Sequence, residues 1–68
     1  MRVLEVRASR SILIGLLGDV REWFDQNGDT AVRLNVERTG AVGIVRAQIE
    51  SDDLAERFRE AFRGAFID

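Results

Sequence analysis

The chain contains no histidine, cysteine, lysine, tyrosine or proline in its 68 residues, and all ten of its cationic side chains are arginine. Arginine stays protonated at any workable pH, so it cannot serve as a base or a nucleophile. The composition therefore excludes an imidazole base, a thiolate, an amine for Schiff-base formation and a phenol. We expect no enzyme activity, no metal site, no disulfide and no cofactor.

Long apolar runs are absent too, and so is a net positive charge. The longest apolar run, residues 12–17, includes Gly15 and is well short of the ~20 residues that a membrane span needs. Four charged residues interrupt the first ten positions, which excludes a secretory signal there. The net charge is −2, whereas non-specific nucleic-acid binding needs a basic surface. We expect a soluble, cytoplasmic protein that binds neither membranes nor nucleic acids.

What is present is hydrophobic periodicity, and in three segments its period is two. Alternating apolar residues predict half-buried strands over 3–8, 32–37 and 42–50. Residues 38–41 predict a hairpin turn between the second and third strands. The apolar residues of the third strand change phase along its length, which predicts a bulge near Gly43.

In two other segments the apolar residues recur three and four positions apart, which predicts helices. The first helix is expected over 12–26, with Ser9 or Ser11 as its N-cap and Gly28 as its stop signal. The second is expected to begin after a capping Ser51, with two acidic residues in its first turn.

The predicted element order is βαββα in one small α+β domain, residues 1–68. Two strands joined by a helix are parallel with a right-handed crossover, and the hairpin makes the third strand antiparallel to both. The expected sheet has three strands in the order 1-3-2, with both helices on one face. This topology resembles the split βαβ unit of ferredoxin-like folds, lacking most or all of the fourth strand. The tail 65–68 is either frayed helix or the start of that strand, so the outer edge of the first strand is expected to be open.

The segment between the first strand and the first helix is the best candidate for binding a small ligand. Arg7 and Arg10 supply guanidinium groups, Ser9 and Ser11 supply hydroxyls, and the helix N-terminus supplies free amides. Together they predict an anion site for a phosphate or carboxylate. The competing interpretation is structural: a capping serine beside two solvated arginines.

Four residues are candidates for a protein interface. Gly15 and Gly18 lie three apart in the first helix, which predicts close approach of the second helix or of a second subunit. Phe66 and Ile67 form an apolar tail near the expected open edge. The sequence therefore favours a non-enzymatic protein-interaction or homodimerisation module, whose partner is itself or another protein. The alternative is a small-ligand or anion-binding regulatory domain that uses the segment 7–11.

Overall fold

A computed structural model describes residues 1–27 and 32–68 of the protein, with only the backbone described at Val32. These residues form four strands and two helices, which confirms the predicted α+β class. The elements are β1 (Arg2–Ser9), a short 3-10 turn (Arg10–Ile12), α1 (Leu13–Asn27), β2 (Val32–Thr39), β3 (Val42–Ile49), α2 (Asp52–Phe62) and β4 (Ala65–Phe66).

The strands form one antiparallel sheet in the order β2-β3-β1-β4. The first three strands have the predicted order, with β3 inserted between β1 and β2. The sheet has four strands instead of three, because the tail forms a short β4 beyond β1, which was one of the two predicted alternatives for residues 65–68. The two-residue β4 pairs Ala65 with Glu5 and Phe66 with Leu4.

One face of the sheet carries the hydrophobic core. Leu4 and Val6 of β1 lie opposite Ala47 and Val45 of β3, and all four side chains are buried. Both helices contribute to the same core cluster, so they cover the same face of the sheet. The buried core residues are Leu4, Val6, Leu13, Val20, Phe24, Val45, Ala47, Ile49, Leu54, Ala55 and Phe58.

The predicted bulge near Gly43 is absent. The register between β1 and β3 is uninterrupted and pairs Gly43 with Ala8. Gly43 is itself an inward position of the strand, so its neighbours Val42 and Ile44 lie on the opposite face and no phase change occurs. Glycine fits there without rearrangement, whereas a Cβ at Gly43 would lie 2.7 Å from a methyl group of the buried Leu13 and force that side chain to shift.

The two helices begin differently. Ser51 caps α2 as predicted, with its hydroxyl accepting a hydrogen bond of 3.2 Å from the Leu54 amide. Ser9 lies at the start of the 3-10 turn but makes no capping hydrogen bond with its side chain, so the prediction of a serine cap is wrong for Ser9. The predicted stop signal at Gly28 lies outside the described residues.

Candidate interaction surfaces

The C-terminal half of α1 packs on α2. The Trp23 ring lies 5.5 Å from that of Phe58 and 6.1 Å from that of Phe62, measured between centroids. Beyond this aromatic cluster, Arg57 donates a hydrogen bond of 3.2 Å to the side chain of Asn27. Because α2 ends at Phe62, the same face of α1 extends past the end of α2 toward the α1 N-terminus.

The uncovered part of this face is a shallow groove. Ile12 and Leu16 precede Trp23 at helical spacing, so they continue the face that packs on α2. We call this surface the α1 groove; it is lined by Ser11, Ile12, Gly15, Leu16 and Asp19. Its lining is largely apolar, and Ile12 is 59% exposed.

The two helix glycines predicted to lie at an interface are exposed. Apart from the adjacent residues and the helix's own backbone, no described atom lies within 4 Å of where a Cβ would stand on Gly15 or Gly18. The prediction that they let α1 approach α2 is therefore wrong. Ile14, which precedes Gly15 in the sequence, is 81% exposed. Contact with a second subunit stays a prediction for both glycines.

The predicted anion-binding residues have partners within the chain. Arg7 donates a hydrogen bond of 2.8 Å from Nε to Glu5, and Arg10 donates one of 3.1 Å to the Gly40 carbonyl oxygen. The hydroxyls of Ser9 and Ser11 lie 2.6 Å apart and bond each other. The competing interpretation, a capping serine beside two solvated arginines, is not seen in that form either, because Ser9 makes no capping hydrogen bond. Instead, Arg10 joins the start of the 3-10 turn to the hairpin turn. Anion binding by Arg7, Ser9, Arg10 and Ser11 stays a prediction.

The tail residues Phe66 and Ile67 are held against β1. The Arg2 guanidinium lies 3.7 Å from the Phe66 ring centroid, and the Ile67 amide donates to the Val3 carbonyl at 3.0 Å. The Asp68 carboxylate accepts hydrogen bonds from the Val3 amide and Arg2, both at 3.2 Å. Burial raises the pKa of Asp68, but its hydrogen bonds, among them those from the Val3 amide and Arg2, and the charge of Arg2 together lower it by more, so the pKa lies below its usual value. Ile67 keeps 48% of its surface exposed.

These contacts correct the expectation of an open edge along the whole first strand. The ladder between β1 and β4 ends at Glu5. Only residues 6–9 of β1 continue past it, and within the described chain no strand lies outside them. The predicted open edge is therefore about half covered, because β4 is too short to pair the rest of β1.

The sheet face away from the helices carries linked ion pairs across three strands. Glu5 of β1 is bound by Arg7 at 2.8 Å and by Arg46 of β3 at 3.3 Å, and Arg46 also binds Glu37 of β2. Only 12% of the Glu5 side chain is exposed. The hydrogen bond from Arg7, together with that from Arg46, holds the pKa of Glu5 below its ordinary value despite its partial burial.

Sequence reasoning overlooked the other end of the sheet. β2 is an edge strand of eight residues, and the described chain places no strand along its outer side. We call this side the β2 edge. The signal was available, because the predicted order 1-3-2 already leaves the second strand at an edge. The open edge was predicted at the first strand instead, because a missing fourth strand leaves that strand without an outer neighbour.

Comparisons of this chain with protein-family models, with curated proteins and with solved structures give no match. In the described ranges, no helix is long and apolar enough to cross a membrane. The same ranges contain no group of three or more acidic, histidine or cysteine side chains placed to hold a metal ion.

Proposed function

We propose that this protein is a non-enzymatic interaction module that forms a homodimer. The β2 edge is the observation that carries the proposal. It presents a row of backbone N–H and C=O groups along eight residues, and such a row is a template for pairing with another strand.

The β2 edge lacks several features that keep edge strands from pairing. Natural edges are commonly blocked by proline, by lysine, or by a bulge that twists the strand away. The chain has neither proline nor lysine. The register of β2 with β3 runs without interruption from Val32 to Thr39, so no bulge distorts the strand. The β2 edge is therefore eight residues long and free of bulges, with no strand of the described chain outside it.

The fold supports a need for association. A domain of this size buries only about 60% of the surface of its unfolded chain, so its stability margin is small. The exposed isoleucines Ile12 and Ile14 add apolar surface that contact with a partner would bury. The order β2-β3-β1-β4 supports the further inference that the fold is a ferredoxin-like split βαβ unit, with its fourth strand cut to two residues.

Sedimentation equilibrium over a wide range of protein concentration tests the proposal. We expect a monomer–dimer equilibrium without larger species, because pairing two β2 edges closes the interface. A strictly monomeric protein at every concentration would contradict homodimerisation. A series of larger oligomers would indicate a second self-association surface, and the α1 groove would be the first candidate for it.

A further inference from the structure

The hydrogen bond between β4 and β1 fixes which backbone groups of β2 point outward. The Val3 carbonyl accepts from the Ile67 amide, so the backbone groups of Val3 face β4 and not β3. Backbone groups alternate sides along antiparallel strands. Val3 lies opposite Gln48, and Gln48 lies opposite Arg33. The backbone groups of Arg33 therefore face β3.

The same alternation continues along β2. Asn35 and Glu37, like Arg33, bond to β3. The backbone groups of Leu34 and Val36 point outward to the β2 edge. A second strand that pairs there would bond to Leu34 and Val36, and it would face Arg33, Asn35 and Glu37 at positions without mutual hydrogen bonds, where side chains lie closer.

A dimer with two-fold symmetry must be self-complementary along this strand. If Asn35 lies opposite Asn35 of the second copy, Arg33 lies opposite the second copy's Glu37, and its Arg33 lies opposite Glu37. Both opposed pairs stand on the sheet face away from the helices. On the helix face, the half-buried Leu34 lies opposite Val36 of the second copy, again twice. One register thus joins two pairs of opposite charge and two apolar pairs.

Other symmetric registers lose this match. Centring the pairing on Leu34 or on Val36 removes both opposite-charge pairs. Centring it on Arg33 or on Glu37 places like charges directly opposite each other, which is destabilising. Of these registers, only the one centred on Asn35 pairs opposite charges.

We propose that the β2 edge pairs antiparallel with the β2 edge of a second copy, with Asn35 at the two-fold axis. The inference rests on the proposed homodimer and specifies its interface. Two four-stranded sheets become one continuous antiparallel sheet. The two-fold axis is perpendicular to that sheet, so the helices of both copies cover the same face.

Single cysteine variants test the register directly, because the natural chain contains no cysteine. At a directly opposed position without mutual hydrogen bonds, the two Cα atoms lie about 4.5 Å apart, within the range of a disulfide. The variant Asn35→Cys is expected to form a covalent dimer on mild oxidation. Arg33→Cys and Glu37→Cys are matched controls on the same face, since each residue lies roughly 13 Å from its copy in this register.

The outcomes separate the inference from the proposed function. A disulfide at Asn35→Cys with none at the two controls supports the register. A disulfide at Glu37→Cys or Arg33→Cys instead overturns it and identifies a shifted pairing. If the wild-type protein dimerises and none of the three variants crosslinks, the register centred on Asn35 is overturned, although the homodimer stands. A monomeric wild type overturns both.

A charge reversal gives an independent readout. Arg33→Glu turns both Arg33–Glu37 pairs into like-charge pairs, so the dissociation constant of the dimer should rise about tenfold. Arg63→Glu makes the same change in net charge at an exposed residue near β4, at the other end of the sheet, and should leave the constant unchanged. Equal constants for the two variants would overturn the pairing of Arg33 with Glu37.

Discussion

At the scale of single residues, glycine has two opposite roles in this chain. Gly43 lies in a strand, where its missing side chain makes room for Leu13. Gly15 and Gly18 lie on an exposed helix face, where no described atom of another element lies within 4 Å of the position of a Cβ. The sequence could not distinguish these roles. The contact that decides the role of Gly43 is with Leu13, which lies thirty positions earlier in the chain.

Adding a methyl group should therefore have opposite effects at two of these sites. Gly43→Ala forces a buried leucine to move and should lower the free energy of unfolding by about 1–3 kcal/mol. Gly18→Ala removes a helix-weakening glycine from an open surface and should raise it by up to about 1 kcal/mol. Urea unfolding, followed by the fluorescence of the single Trp23 at one protein concentration, measures both.

Two results would contradict this reading of the glycines. An unchanged or raised stability for Gly43→Ala would show that the Leu13 side chain can move to admit the methyl group at no cost in stability. A loss of stability for Gly18→Ala that grows with protein concentration would place Gly18 at a subunit contact, as its spacing from Gly15 first indicated.

At the scale of elements, the regular strands and helices were predictable and the short ones were not. Strong alternation along β2 and a capping serine before α2 are local signals. β4 has only two residues and is held by contacts between Arg2 and Asp68, at opposite ends of the chain. No local pattern encodes such a contact. The prediction of a bulge in β3 was wrong for a different reason. Gly43 occupies an inward position, but glycine has no apolar side chain that would mark the position as inward in the sequence.

The ion pairs around Glu5 connect three strands and give the sheet a pH dependence. The pKa of Glu5 is lowered in the folded protein from an ordinary value of 4.5. A lowered folded-state pKa contributes stability that is present above the unfolded-state pKa and is lost as pH falls through the folded-state value. Glu5→Gln should therefore be less stable than the wild type at pH 7, and this difference should shrink as the pH falls below about 4.5.

Unfolding measured at several pH values between 7 and 3 tests this expectation. Glu50→Gln, which removes one negative charge at an exposed position, is the matched control. If the difference in unfolding free energy between the wild type and Glu5→Gln stays constant with pH, Arg7 and Arg46 do not stabilise the charged form of the Glu5 carboxylate.

At the scale of the whole molecule, the described residues bury one face of the sheet and leave uncovered the outer side of β1 at residues 6–9, the α1 groove and the β2 edge. On the opposite face, ion pairs among Glu5, Arg7, Arg46 and Glu37 link three strands. The α1 groove lies where α2 ends, and the β2 edge lies where the sheet ends. Of these two, only the β2 edge shows self-complementary charge, with Arg33 and Glu37 spaced equally on either side of Asn35. This spacing is visible in the sequence, but its meaning depends on knowing that β2 is an edge strand.

Hydrogen exchange of the β2 amides at increasing protein concentration tests the central claim most directly. The amides of Leu34 and Val36 point to the edge, so they should exchange freely in dilute solution and become protected as dimer forms. The amides of Asn35 and Glu37 bond to β3 and should be protected at every concentration. If Leu34 and Val36 exchange at the same rate throughout, or if protection rises in the α1 groove instead, the β2 edge is not where a second copy binds.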